Sequence, residues 1–501
     1  MKKPKETVTS KIGDDYKKWT NDKIILIHAR TGAGKSHFIK NTLYDYAEDN
    51  NKKILLLSNR NKLKEQNEME LADKLTFGGT ITIMNYQKID FEYSRKMKNE
   101  EYYQRVNLDY FDYIVADECQ YFVDDADFNN FTDHSLKLIM QSKAVKIFMS
   151  ATPELFVDYM KRNYSTFDMI TYKLKKNYSY IEKLYMYNDD ELLEKTLLHD
   201  LPKDEKLIYF HHSAKKCLEL HEKYLNSIWV CSNSNSLYEK VDKEKINDML
   251  KNEKFEEQML FATKCFDNGI NIKDSNIKHI VIDMGIDTDT IIQCLGRYRV
   301  LNSSDKITVY VKNISNQALS GKLRQLEKRL TKADAYVNTP NEVFDYIPRE
   351  YKDDITFLTE EDDELKIEVN WVKYHKVEST MKFIQELLDK NEKYPFANHV
   401  KKLLGKRKWI LYDNEWDLKT LTEYLEDNVG IHMNKSMQED FKEKLDKHGL
   451  KVKSGNKIGL NTINGYLKDN ELSYHIETKR IRENGNKITV WIITKGYAKS
   501  K

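Results

Sequence analysis

Ile24-Ile25-Leu26-Ile27-His28-Ala29-Arg30-Thr31-Gly32-Ala33-Gly34-Lys35-Ser36 is a short apolar run that enters a glycine-bearing turn ending Gly-Lys-Ser. The next residues, His37 to Leu43, have helical spacing. Strand, turn and helix in that order are the setting a phosphate-binding loop requires; a chance Gly-Lys-Ser in a surface turn lacks it. Gly32 and Gly34, beside Thr31, let backbone N–H groups approach phosphates, and the helix N-terminus adds partial positive charge. Lys35 is placed to reach the β/γ-phosphates and the Ser36 hydroxyl to bind Mg²⁺, so the expected ligands are ATP and Mg²⁺. The first glycine of the motif is replaced by Ala29.

Outward from this loop, short apolar runs alternate with longer amphipathic ones. Ile54–Ser58, Thr80–Met84, Tyr113–Ala116 and Val145–Met149 read as buried strands. Near-continuous apolar strands separated by helices predict a parallel sheet covered on both faces. The polar signatures fall just after strands, where open α/β sheets place their sites. After a tyrosine-rich connector the pattern resumes with Lys183–Tyr187, Leu207–Phe210, Ile228–Cys231, Met259–Ala262, His279–Met284 and Ile307–Val311. The fold class expected is α/β, with two tandem parallel-sheet domains and a smaller basic α+β domain behind them. The boundaries read as a polar lead-in 1–22, a first domain 23–178, a second 179–315, a helical connector 316–404 and a C-terminal domain 405–501. The acidic Glu360-Glu361-Asp362-Asp363-Glu364 reads as a solvated linker or helix face.

Composition sets limits. The chain has 501 residues, 40% hydrophobic and 32% charged, which is globular and long enough for several cores. A net charge of +2 excludes a polycation, so a nucleic-acid surface requires local asymmetry. That asymmetry lies in the tail: from Lys447 onward 12 Lys/Arg face 4 Asp/Glu. There, helical Leu418–Asn428, Met437–His448 and Leu460–Leu472 precede two strands, Ser473–Arg482 and Lys487–Thr494, around Glu483-Asn484-Gly485-Asn486. This is a winged-helix-like order; a generic small α+β domain is the alternative. The 5 cysteines form no C-x-x-C pair, so neither a zinc ribbon nor a disulfide framework is expected. The N-terminus has no apolar core of a signal peptide, and no run of about eighteen apolar residues occurs. The expectation is a cytoplasmic protein without a membrane partner.

Further chemistry follows the strands. Asp117-Glu118-Cys119-Gln120 stands after the strand ending at Ala116. A carboxylate on the strand beside the phosphate loop can hold Mg²⁺, and Glu118 is placed to polarise an attacking water. Ser150-Ala151-Thr152 follows another strand. Gln293-Cys294-Leu295-Gly296-Arg297-Tyr298-Arg299 brings two arginines that can neutralise charge on a γ-phosphate. Glu364-Leu365-Lys366 and Glu477-Thr478-Lys479 have the spacing of a nuclease core but lack its surroundings. No paired histidines occur at helical spacing, so no metal beyond Mg²⁺ is expected.

In order, Ala29–Ser36, Asp117–Gln120, Ser150–Thr152 and Gln293–Arg299 resemble motifs I, II, III and VI of superfamily-two helicases. Between them, Ser58–Leu63 with Gln66 resembles motif Ia, Thr82–Gln87 motif Ic, Tyr209–Ser213 motif IV, and Ala262–Lys264 with Asp267–Ile272 motif V. The resemblance covers residues 24–315 and implies two RecA-like lobes. It implies that Lys35 and Ser36 bind phosphate and Mg²⁺, that Asp117 holds Mg²⁺ and that Glu118 activates water. It further implies that Gln293, Arg297 and Arg299 act on the γ-phosphate from the second lobe, with Arg297 the contact and Arg299 its partner. Gly269 and Asn271 are placed near the ribose, and Ser150 and Thr152 couple hydrolysis to closure. Arg60, Tyr86, Gln87, Ser213 and Thr263 are placed along a nucleic-acid groove. In the tail, Asn461, Asn464 and Lys468 are candidates for groove contacts on a recognition helix.

The departures narrow the expectation. The last motif is compressed to Gly-Arg-x-Arg, with Val300 where the second arginine often stands, a form closer to viral and phage origin-binding helicases. No glutamine-based adenine motif precedes Lys23, and motif II ends in Gln120, which argues against the DEAD-box RNA subgroup. Trp19 or Tyr16 is either a base-stacking residue or part of the first core. The expected function is an ATP-dependent DNA helicase or translocase, acting in phage or mobile-element replication. The rivals are an RNA helicase of the same fold and a site-specific DNA-binding initiator with a switching ATPase.

Overall fold

The computed structural model describes residues 6–58, 68, 71, 74, 79–89, 106–127, 129, 132–264, 271–302, 304–338, 355–361, 364–412, 421–422, 424–447, 450, 459–483 and 486–496. Its strands are β1 (Lys23–His28), β2 (Ile54–Ser58), β3 (Ile81–Asn85), β4 (Tyr113–Asp117), β5 (Val145–Ser150), β6 (Asp168–Lys173), β7 (Ile181–Tyr187), β8 (Lys206–His211), β9 (Ser227–Val230), β10 (Met259–Ala262), β11 (Ile277–Asp283), β12 (Ile307–Lys312), β13 (Thr356–Glu361), β14 (Glu364–Val369), β15 (Ile410–Leu411), β16 (Tyr474–Glu483) and β17 (Asn486–Lys495). The chain forms two compact units, Met1–Glu182 with Pro202–Arg407, and Lys183–Leu201 with Lys408–Lys501.

In the first unit, β1–β6 form a wholly parallel sheet in the order β3-β2-β4-β5-β1-β6. Alternate residues serve opposite cores, as the two-residue period of a strand demands. Ile25, Ile27, Leu56 and Val115 pack with Phe38, Ile39 and Leu43 of the helical run after the phosphate loop. Ile24, Leu26, Leu57 and Ala116 pack with Tyr121, Phe122 and Phe156 on the other face. The expected parallel sheet covered on both faces is present. However, β5 stands between β1 and β4, so Asp117 is not on the strand beside the phosphate loop. The tip of β5 thereby lies between the two motifs.

Two expectations are corrected here and one alternative is decided. The described part of the polar lead-in, residues 6–22, is structured: Val8–Ile12 is a helix capped by Thr7, and Val8, Ile12, Tyr16 and Trp19 are all in the first core. The Val8 N–H donates to the Ala33 carbonyl at 3.0 Å, so this segment braces the phosphate loop. Trp19 is buried, edge-on to Phe38, and its indole donates to the Tyr172 hydroxyl at 3.2 Å; it packs rather than stacks on a base. The tyrosine-rich connector contains an unforeseen strand, β6. It is an edge strand whose residues are mostly half-exposed or exposed, so it lacks the apolar run of its neighbours.

Residues 316–404 also belong to the body of this unit. Helices Asn316–Asn338, Trp371–Leu388 and Pro395–Leu403 are joined by the β13–β14 hairpin. Of the acidic stretch, Glu360, Glu361 and Glu364 lie at the end of that hairpin's strands, with Glu361 opposite Glu364, rather than on a helix or linker. Asn370 caps Trp371–Leu388, accepting from the Lys373 N–H at 2.9 Å, and Val372 enters the first lobe's core. Arg162 and Glu378 pair at 2.5 Å across the same contact.

The second lobe of this unit is built on five parallel strands in the order β12-β11-β8-β10-β9. In the other compact unit, β15 pairs with β7, Ile410 opposite Tyr185. The same unit holds the C-terminal core, in which Leu421, Leu425, Phe441, Leu445, Ile463, Leu467, Ile476 and Ile493 meet. Helices Lys435–Lys447 and Leu460–Asp469 precede the antiparallel β16–β17 hairpin. Met433 exchanges backbone hydrogen bonds with Trp491, adding a third chain segment to β17. These elements follow the expected winged-helix-like order. Among the described residues, no helix is long and apolar enough to cross a membrane.

Replacing Trp19 with Ala leaves a void in the first core and removes one hydrogen bond. A loss of about 3–5 kcal/mol is expected. It would be measured by chemical denaturation, with the Trp19→Phe variant recovering most of it.

Candidate active site

β1, β4 and β5 deliver their carboxyl ends side by side. After β1 the chain turns through Gly32 and Gly34, at φ +75° and +91°. Glycine adopts this left-handed region without steric cost. The helical run from Lys35 to Asp49, partly π-helical at Phe38–Leu43, starts there. Lys35 is buried; its Nζ donates to the Ala29 carbonyl at 3.1 Å and lies 3.5 Å from Glu118 Oε1. Ala29 is fully buried and its N–H donates to the Ser150 carbonyl at 3.0 Å, so alanine fits where the motif usually has glycine. Ser36 follows Lys35 at the start of the helical run, and Thr31 lies in the turn.

After β4, Asp117 is buried and Glu118 takes a left-handed φ of +54°. That conformation costs a non-glycine residue roughly 1–3 kcal/mol and is over-determined by its surroundings. Burial, with the Glu118 charge beside it, pushes the Asp117 carboxyl up to about 6 against the pull of Lys35 and Lys40. Burial would also raise Glu118, but Lys35, Arg297 and the Gln120 hydrogen bond outweigh it and hold the carboxyl below its ordinary value. The two adjacent acids therefore differ in kind: Glu118 is already charge-compensated, and Asp117 lacks enough positive charge. A divalent cation suits that donor set. Cys119 is fully buried and its thiol is raised well above its ordinary value by burial, which fits a structural role rather than a nucleophile.

One residue passed over in the sequence ties these motifs together. Gln120 donates through Nε2 to Glu118 Oε2 at 3.1 Å, and its Oε1 accepts from the Ser150 hydroxyl at 2.6 Å. Ser150 Oγ in turn accepts from the Thr152 N–H at 2.9 Å. Thr152 Oγ1 meets Gln293 Nε2 of the second lobe at 3.4 Å. The available signal was that an amide in the last position of motif II both donates and accepts, which a carboxylate does not.

The second lobe closes the site with helix Thr288–Leu295 and the turn behind it. A Cβ on Gly296 would lie 3.1 Å from Thr31 Oγ1, so this turn touches the phosphate loop. A Cβ on Gly32 would lie 2.7 Å from Arg299 Nη1. Arg299 thus lies on the loop itself, held by Asn271 Oδ1, which accepts from its Nε at 2.8 Å and its Nη2 at 2.5 Å. Burial and the charges of Arg297 and Arg30 push the Arg299 guanidinium down to about 10. Arg297 is buried, and its charge acts on Glu118.

The nucleic-acid candidates fare unevenly. Gln87 is exposed, and Thr263 is buried at the end of β10. Ser213 caps helix Ala214–Lys223, accepting from the Lys216 N–H at 3.3 Å. Tyr86 is a correction: it is fully buried, stacked on Tyr121 at 4.3 Å, and donates to the Asp117 carbonyl at 2.9 Å. It supports motif II from beneath and is closed to a strand. Asn464 is a second correction. Its amide accepts from the Ile476 N–H at 2.7 Å and donates to the Ile476 carbonyl at 3.0 Å, so it clamps the hairpin to the helix. Asn461 and Lys468 are exposed on that helix. Arg60, Gly269, most of motif Ia and Asp267–Ile270 of motif V lie outside the described residues.

Residues 2–155 match the family model described as "Type III restriction enzyme, res subunit". No curated protein matches the chain. Among solved structures it is similar to S. cerevisiae Dbp5 bound to RNA and ADP BeF3, at 16% identity and a TM-score of 0.44 over 60% of this chain and 82% of that one. A variant of the same yeast protein, bound to RNA and ADP BeF3, gives 17% identity and a TM-score of 0.44 over 58% and 79%. The family match over the first lobe accords with the ordered motifs that converge on one cleft. The likeness to that family is confined to the first lobe.

Tyr86→Phe removes one buried hydrogen bond and no surface group. A loss of about 1 kcal/mol in stability is expected, with unchanged affinity for single-stranded nucleic acid. A tenfold loss of affinity at unchanged stability would return Tyr86 to the groove.

Proposed function

We propose that the chain is a nucleic-acid-stimulated ATPase that moves along or unwinds DNA, in phage or mobile-element replication. The observation that carries this reading is the continuous run of contacts Lys35–Glu118–Gln120–Ser150–Thr152–Gln293, from the phosphate loop to the second lobe. The backbone amides after Gly32, with Lys35, cradle the β- and γ-phosphates. Ser36 and Asp117 would hold Mg²⁺, which supplies charge neutralisation on the phosphate oxygens.

Glu118 is the general base. Held ionised by Lys35 and Arg297, it accepts a proton from the water whose oxygen attacks the γ-phosphorus. The bond to the bridging oxygen breaks and ADP leaves with that electron pair. Arg297 and Arg299 neutralise the charge that develops, an effect worth on the order of a thousandfold or more. Arg299, lying on Gly32, is as well placed for phosphate contact as Arg297. The crowding of Arg30, Arg297 and Arg299 is a repulsion that a triphosphate relieves. Thr152 and Gln293 join the lobes, so loss of the γ-phosphate loosens a contact between two rigid bodies and converts chemistry into motion. Gln87 and Thr263 lie in the strand-binding groove. DNA is preferred over RNA because of the motif variants and the winged-helix-like tail.

The test is ATPase rate with single-stranded DNA, duplex DNA and RNA in parallel across a salt series. Stimulation by DNA and none by Lys35→Ala is expected; stimulation by RNA alone would replace the DNA reading. In a second measurement, Glu118→Gln should leave ATP affinity within about threefold and lower turnover by 10²-fold or more. It should also hold the protein on single-stranded DNA. Loss of ATP binding would make Glu118 structural.

A further inference from the structure

Among the described residues, the C-terminal unit presents a basic surface on the β16–β17 hairpin, not on the helix that sequence reasoning selected. Helix Leu460–Asp469 has its central candidate, Asn464, committed to both backbone groups of Ile476. Its exposed positions include Lys468 beside Asp469 and carry no net charge. The hairpin differs. Ile476 and Ile493 are its cross-strand pair in the core. Strand alternation places Thr478 opposite Trp491, Arg480 opposite Thr489 and Arg482 opposite Lys487 on that same face, beyond the core.

Arg480, Arg482 and Lys487 are exposed and have no ion-pair partner among the described residues. Arg482 and Lys487 are like charges directly opposite each other, which destabilises a hairpin. The neighbouring acid Glu477 points to the other face, where its carboxylate meets His475 at 2.7 Å. Residues two apart on a strand are roughly 6.8 Å apart and paired strands about 4.8 Å. Three cations therefore sit within a patch the size of one strand crossing, next to a half-buried tryptophan whose ring is covered by Lys442 at 5.3 Å.

Resting on the reading of the chain as a DNA motor, we infer that the tip of the β16–β17 hairpin, through Arg480, Arg482 and Lys487, grips the phosphates of duplex DNA. A two-stranded ribbon is narrow enough for the major groove of B-form DNA, and its cations replace condensed counterions. The contact is to backbone rather than base edges, so it gives affinity without strong sequence preference. The helix Leu460–Asp469 supports the hairpin instead of reading bases.

The experiment uses the full chain and a labelled random-sequence duplex DNA of about twenty base pairs, titrated across salt. Each lost phosphate contact flattens the slope of log K against log salt by about 0.9. The variant R480Q/R482Q/K487Q should flatten it by about 2.7, while N461A/K468A changes it by at most about 0.9. ATPase stimulated by single-stranded DNA should stay within twofold of the parent in both variants. An unchanged slope in the triple variant overturns the hairpin contact, as does a larger effect from N461A/K468A. Equal slope loss seen only with duplex RNA of the same length overturns the choice of DNA. Loss of strand-stimulated ATPase in the parent protein is a different failure, that of the motor reading, and is seen before any hairpin variant is made.

Discussion

A glutamate in a left-handed turn is the constraint around which the site is arranged. Glu118 carries φ +54° at the end of a buried strand, an arrangement that needs support from several sides. Lys35 supplies charge from the phosphate loop, Arg297 from the second lobe, and Gln120 a hydrogen bond. Each support comes from a different part of the sequence, so the strained turn registers the state of all three. The amide of Gln120 is suited to this because its two ends differ: it donates a hydrogen bond to the carboxylate and accepts one from Ser150.

The sheet order makes that relay possible. With β5 between β1 and β4, the Ser150 tip stands midway between phosphate loop and acidic pair, and the Ala29 N–H rests on its carbonyl. A swap of β4 and β5 would place Asp117 nearer the phosphates but remove the path from Gln120 to Thr152. The second lobe then needs only a short reach. Gly296 against Thr31 and Arg299 against Gly32 are contacts in which added side-chain bulk would force the parts apart.

Much of this was legible because strands buried on both faces announce themselves as apolar runs and the chemistry follows at their ends. The phosphate loop, the acidic pair, Ser150 and Thr152 were readable that way, whereas Gln293 lies within a helix and was read from its motif. What escaped was set by tertiary packing. β6 is an edge strand without an apolar run. The segment before β1 is polar by composition, yet its Val8, Ile12, Tyr16 and Trp19 point inward. Tyr86 looked like a groove residue from its motif position, but a tyrosine at that place can turn beneath the sheet and hydrogen-bond Asp117 instead. Asn464 was read as a reader of bases because it lies mid-helix; only the hairpin's return toward that helix shows what its amide meets. The arginine spacing left Arg297 and Arg299 open, and the clasp of Asn271 on Arg299 distinguishes their settings.

The hydrogen bond from Val8 to the Ala33 carbonyl has a further meaning. Short helices open locally, and hydrogen exchange follows such local opening rather than global unfolding. Here a short helix is bonded to the glycine-bearing loop. Fraying of a five-residue helix would release the crest of that loop, so its ordering belongs to the same small cooperative unit as Val8–Ile12. Whatever settles in the loop therefore orders Val8–Ile12 with it.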